Sequence, residues 1–248
     1  MIGRLLLLRP ALALFLLLGI LLLGLPGFAS AQQNETGVDI ASDTEASAPL
    51  YLPALFGVAG VEESDMLNVR AGPSTDEEIV ARLSPSATSI EVVVTDDSGE
   101  WGLVALPEGR GWASLRYLVR APGQPLTGLP NQISCAGTEP FWSFNLMQDR
   151  SAEFARPDVT TRFQNVAIIP SSNRTDRHAL FADGGEVVVT SLVGRGMCSD
   201  GMSDRPYGLS IDMLVTDKSA VTLYSGCCSV APPVSAEDKI NPQPSGSD

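Results

Sequence analysis

The sequence predicts an all-β protein, a small and partly open barrel followed by a disulfide-bonded antiparallel β-barrel or sandwich. Three observations predict it. Short runs of alternating apolar and polar residues recur from Met66 to Ser225, separated by clusters of Gly, Pro, Asp and Ser. No helical periodicity interrupts these runs. The four cysteines, Cys135, Cys198, Cys227 and Cys228, all lie in the second half, so only that half can be stapled.

The chain opens on an address. Arg4 and Arg9 form a positive n-region, Ala11 to Leu25 carry no charge, and Phe28-Ala29-Ser30-Ala31 offers an Ala-x-Ala cleavage site. Residues 1–31 therefore read as a signal peptide, and the expected location is periplasmic or secreted. The competing reading is an uncleaved anchor. A membrane span needs roughly 20 apolar residues, a length reached here only by including Pro26 to Ala29. Contact with a membrane is expected only through such an uncleaved leader. No cysteine lies near the leader's end to take a lipid.

Charge narrows the partners. The formal net charge is −13, and loss of Arg4 and Arg9 with the leader takes it to −15. Such a chain is repelled by nucleic acid and by anionic lipid, and is steered toward basic partners. Acidity also serves solubility alone.

Residues 32–57 begin with Glu35, Asp39, Asp43 and Glu45 and no basic residue before Arg70, among many Ser, Ala and Gln. So little apolar surface cannot offset the entropy of ordering, and a disordered linker is expected. Residues 231–248, with four prolines among Ser and Gly, read as a disordered tail. A second linker is expected at 121–130, where three prolines and two glycines make a natural boundary.

The first domain is expected over 58–120. Its strand candidates are Met66–Arg70, Ile79–Leu83, Ser89–Thr95, Glu100–Leu106 and Arg110–Ala113. Five strands in some sixty residues suit a small barrel. The second domain is expected over 131–230, with strands at Phe141–Met147, Ala152–Ala155, Phe163–Ile169, His178–Ala182, Glu186–Leu192, Leu209–Thr216 and Val221–Ser225. In Phe141 to Leu146, Trp142, Phe144 and Leu146 share one face, opposite Ser143 and Asn145.

Four cysteines in an exported chain read as two disulfides, with three connectivities open. Neighbours on a strand point to opposite faces, so a bond between Cys227 and Cys228 is disfavoured. Each is expected to pair with one of Cys135 and Cys198, one bridge on each face. A four-cysteine zinc site wants paired C-x-x-C spacings, which are absent.

Leu67-Asn68-Val69-Arg70 with Gly72-Pro73, the turn before Trp101, and Gly111-Trp112 followed by Tyr117-Leu118 together resemble the bacterial SH3-like (SH3b) domain. The resemblance covers the whole first domain. It implies a module that binds cell-wall peptides or a protein partner and that commonly accompanies wall hydrolases. The second domain is similar to a little-characterised family of bacterial envelope proteins with two signatures. One is Gly137-Thr138-Glu139-Pro140-Phe141-Trp142. The other is Cys198-Ser199-Asp200-Gly201-Met202-Ser203-Asp204, with a late Gly226-Cys227. That resemblance implies a barrel reminiscent of periplasmic inhibitors of animal-type lysozyme, and no established activity.

Catalytic templates fail one by one. The single histidine, His178, precedes three of the cysteines, the reverse of the order in cell-wall cysteine peptidases. Ser225-Gly226-Cys227-Cys228 lacks the arginine that an L,D-transpeptidase carries after its cysteine. A disulfide-bonded sulfur cannot be a thiolate nucleophile, and one histidine cannot build a zinc amidase site. His178, in an apolar strand, reads as structural.

The candidate binding residues are Trp112, Tyr117, Glu139, Asp200 and Asp204. Trp101, Trp112 and Tyr117 offer aromatic faces that suit peptides and sugars, while alternation also fits Trp101 to a core with Leu103. Asp200 and Asp204, with Ser199 and Ser203, form a hydroxyl-rich acidic loop. It reads either as a cation or basic-ligand site or as a loop bonded to its own backbone. Glu139 reads as an exposed carboxylate beside an aromatic pair or, if buried, as the partner of Arg195 or Arg205. No cofactor and no metal is expected. The function expected is that of a non-catalytic envelope protein binding peptidoglycan or an envelope protein. The alternatives are an inhibitor of a basic enzyme such as lysozyme and a peptidoglycan-modifying enzyme.

Overall fold

The computed structural model describes residues 51–231 except Glu108 and Ser219. The leader, residues 32–50 and residues 232–248 lie outside the described residues. The described chain is all β, with one 3-10 turn at Leu115–Tyr117. Among the described residues no helix is long and apolar enough to cross a membrane.

The first sheet has seven antiparallel strands: β1 (Ala54–Val58), β2 (Leu67–Arg70), β3 (Ile79–Leu83), β4 (Ile90–Thr95), β5 (Trp101–Ala105), β6 (Arg110–Ser114) and β7 (Leu118–Arg120). Their order is β3-β2-β6-β5-β4-β1-β7. Phe56, Val69, Val92, Val104 and Ala113 fill its core. Strand β1 begins inside the segment expected as linker. Alternation explains its order: Ala54 and Phe56 enter this core, whereas Leu55 faces the second sheet and packs on that core.

The second sheet has nine strands: β8 (Ile133–Thr138), β9 (Phe141–Leu146), β10 (Ala152–Arg156), β11 (Val159–Phe163), β12 (Val166–Pro170), β13 (Arg177–Asp183), β14 (Val187–Cys198), β15 (Tyr207–Asp217) and β16 (Ala220–Ser229). The order β11-β10-β9-β8-β16-β15-β14-β13-β12 makes an up-and-down, nearly closed barrel. Its first and last strands pair, and the seam falls between β11 and β12. The sequence pattern suggests one strand from Phe163 to Ile169, and the structure corrects this. Phe163 and Val166 are both buried and three residues apart, so a continuous strand would send them to opposite faces. Gln164 and Asn165 break the chain between them, and the barrel's seam lies there.

Cys227 and Cys228 each pair with one of Cys135 and Cys198, as expected, and the strand register selects which. Cys135 lies opposite Cys228 across β8 and β16 and is bonded to it inside the core. Cys227 points the other way and joins Cys198 at the end of β14.

The connector 121–130 is held by hydrogen bonds and by the burial of Leu129. The Gln124 side chain accepts from Leu55 N at 2.7 Å and donates to Leu55 O at 2.8 Å and Ala121 O at 2.9 Å. Leu129 is buried in the second sheet's core. Arg120 donates to the carbonyls of Tyr51 and Pro125, each at 3.0 Å. Arg195 donates to Leu52 O and, at 2.7 Å, to Gly128 O, while its guanidinium lies 3.9 Å from the centre of the Tyr51 ring. Two arginines thus clasp the segment entering β1 and the connector leaving β7.

Candidate binding site

A groove of about 530 Å³ lies on the first barrel. Pro73, Ser74 and Thr75 form one bank, Gly99 and Glu100 the end, and Ser114, Leu115 and Arg116 the other bank, with Trp101 beside them. Local chemistry builds it. The Asp96 carboxylate accepts from Ser98 N, from the Ser98 hydroxyl and, at 2.9 Å, from Trp101 N. The Ser98 hydroxyl and these N–H groups hold the Asp96 carboxyl below the usual carboxylate range. That turn delivers Trp101 to the surface at the start of β5, and Leu115 N closes the far bank by donating to Glu100 O at 2.8 Å. Gly102 and Val104 face inward, so Trp101 lies on the outer face of the strand, and its half-buried ring is a wall of the groove. One cation, Arg116, and one anion, Glu100, flank it.

Trp112 and Tyr117 stand outside this groove. Trp112 is half-buried on β6, opposite Leu103 and Arg70. The Tyr117 ring packs on the first core, with the Arg116 guanidinium 5.6 Å from its centre. The sequence pointed to Trp101 only as one of two readings and did not single out Glu100 or Arg116. The cue it held was the Asp96-Asp97-Ser98-Gly99 turn directly before an aromatic.

The acidic candidates do not converge. Asp200 is committed to its own loop: its carboxylate accepts from Met202 N at 3.0 Å, Ser203 N at 2.9 Å, Ser203 Oγ at 2.8 Å and the Tyr207 hydroxyl at 3.3 Å. Partial burial pushes its pKa up, but these four donors outweigh burial and hold it low. Asp204 lines a second cleft of about 260 Å³, with Arg110 of β6 and Met197, Ser199 and Arg205 of the β14–β15 region. Among the described residues no cluster of three or more His, Cys, Asp or Glu side chains could hold a metal ion.

Glu139 is exposed, in the two-residue turn between β8 and β9 beside the cis peptide to Pro140. The buried-carboxylate role considered for it belongs to Glu91, which the sequence did not mark. Glu91 lies on the outer face of β4. Its carboxylate accepts from the Ser229 hydroxyl, from Val230 N at 2.9 Å and from Arg205 Nη2 at 3.3 Å. Burial raises its pKa above the ordinary 4.5, against the pull of these three donors.

The two signatures of the second domain meet physically. Trp142 lies opposite Gly137, and a Cβ built on Gly226 would come within 2.8 Å of the Trp142 ring and still closer to the Ala136 carbonyl. The indole therefore occupies room that only glycine leaves.

The first sheet thus carries an aromatic groove with a turn-built rim. Residues 65–119 match the family model of the bacterial SH3 domain. Neither the curated proteins nor the solved structures hold a significant match.

Proposed function

We propose that this chain is a non-catalytic binding protein of the bacterial cell envelope, whose SH3-type barrel holds an extended peptide. That peptide belongs to the cell wall or to a protein partner. The observation that carries the proposal is the groove of Trp101, because an aromatic wall flanked by one cation and one anion suits a peptide bearing both charges. The disulfides are in keeping with an exported chain. The test is co-sedimentation of the purified protein with peptidoglycan sacculi. Retention that falls with Trp101→Ala supports the proposal, and protein that stays in the supernatant ends the cell-wall reading.

A second reading is favoured by the distribution of charge. Residues 51–130 carry eleven carboxylates against five arginines. Glu62, Glu63, Asp65, Asp76, Glu77 and Glu78 are all exposed. Such an excess of exposed carboxylates suits a basic protein such as lysozyme. A lysozyme turbidity assay decides it, and lysis unslowed by micromolar protein removes the reading.

A further inference from the structure

The outer wall of the second barrel is apolar where a barrel in water is ordinarily polar. Phe181, Thr190, Leu214 and Leu223 face one another across β13, β14, β15 and β16. Leu192 and Ile169 flank this row on one side and Val221 on the other. These six large apolar side chains are 42–63% exposed. They sit in three adjacent cross-strand rows that contain no cation and only two carboxylates, Asp183 and Asp212. Asp212 accepts from the Ser225 hydroxyl at 2.6 Å and Asp183 from Gly185 N at 2.8 Å.

We infer that this wall is the interface of a homodimer, with a second copy of the chain as its occupant. Three arguments select the copy. With strands ~4.8 Å apart and ~3.4 Å per residue, the three rows cover roughly 450 Å² per copy before side-chain relief is counted. Two copies together therefore approach the roughly 1,000 Å² at which specific, weak interfaces begin. An apolar patch centred on one row can also meet its own copy about a two-fold axis. Finally, most of the negative charge of residues 51–231 belongs to the first domain's part of the chain. Residues 131–231 carry eleven carboxylates and eight basic residues, a net −3, whereas residues 51–130 carry −6. A basic partner would find only these two carboxylates in the rows.

Sedimentation equilibrium on the full chain between 1 and 200 µM tests the inference. The expected result is a mass rising to twice the monomer with a micromolar dissociation constant. The association should tighten at 0.5 M salt, because apolar contact between two acidic chains gains from screening. Leu214→Asp, on the outward face, should weaken the dimer at least tenfold at unchanged Tm. If that variant melts early, Thr190→Arg, an exposed polar position in the same row, carries the test. A monomer at 200 µM in both salts overturns the inference, as does a dimer that survives the well-folded variant.

Discussion

The backbone N–H of Val230 donates to Glu91 Oε1 over 2.9 Å, so the chain leaving the last strand of one sheet ends on a carboxylate of the other. With the Ser229 hydroxyl and Arg205 on its second oxygen, Glu91 is the polar centre of the contact between the two sheets.

Glu91 makes that contact sensitive to pH. Its folded pKa lies above the ordinary 4.5 because burial disfavours the charge. The stability it contributes is therefore full below about pH 4.5 and is lost as pH rises through the folded value. Relative to Glu91→Gln, the native protein should lose Tm across that window and then level off. Thermal melts of both proteins from pH 4 to 9 check this. A Tm difference independent of pH refutes it.

His178 acts with the opposite sign. It is buried on β13, and burial first, then the nearby charge of Arg195, lower its pKa below 6.5 against the weaker pull of Asp176. Its contribution is present above pH 6.5 and is lost as pH falls through its folded value. His178→Asn should flatten the stability profile on this acid side. An unchanged profile between pH 5 and 7 rejects the assignment.

Arg195 fastens the segment that enters β1. Removing its bonds to Leu52 O and Gly128 O and its stacking on Tyr51 should cost about 2–4 kcal/mol, since two carbonyls lose a charged donor. In Arg195→Ala, hydrogen exchange should quicken at residues 51–58 before it does in β8–β16. Uniform quickening would mean that the arginine supports the whole fold instead.

The two bridges should differ in worth. Loops of 93 and 29 residues imply about 4.5 and about 3.5 kcal/mol on the chain-entropy account. Denaturant unfolding of Cys135→Ser/Cys228→Ser and Cys198→Ser/Cys227→Ser should rank them in that order.

Trp101 should carry the groove's affinity. Trp101→Ala is expected to weaken retention on sacculi at least tenfold, or ~1.4 kcal/mol. Phe141→Ala, an exposed aromatic on the other barrel, should leave it unchanged. Equal losses in both variants would place binding elsewhere.

The sequence by itself determined the class of the fold, most strands and the exclusion of a bond between Cys227 and Cys228, while the strand register decided which of the two takes Cys135. The first three depend on local alternation, and the adjacency of Cys227 and Cys228 sends their side chains to opposite faces whatever surrounds them. It also carried the module's family, through the Leu67–Pro73 and Gly111–Leu118 stretches. Only the tertiary structure decided which aromatic lines the groove. Trp101 and Trp112 sit on strands with the same alternation, and the difference lies in loops brought from elsewhere in the chain. Glu91 was invisible for the same reason: in Ile90-Glu91-Val92-Val93 it is one polar residue in an apolar strand, the ordinary mark of an outward face. Its partners lie 114 to 139 residues away. Burial of a side chain by a distant surface leaves no local periodic trace, so the contact between the two sheets had to be seen to be known.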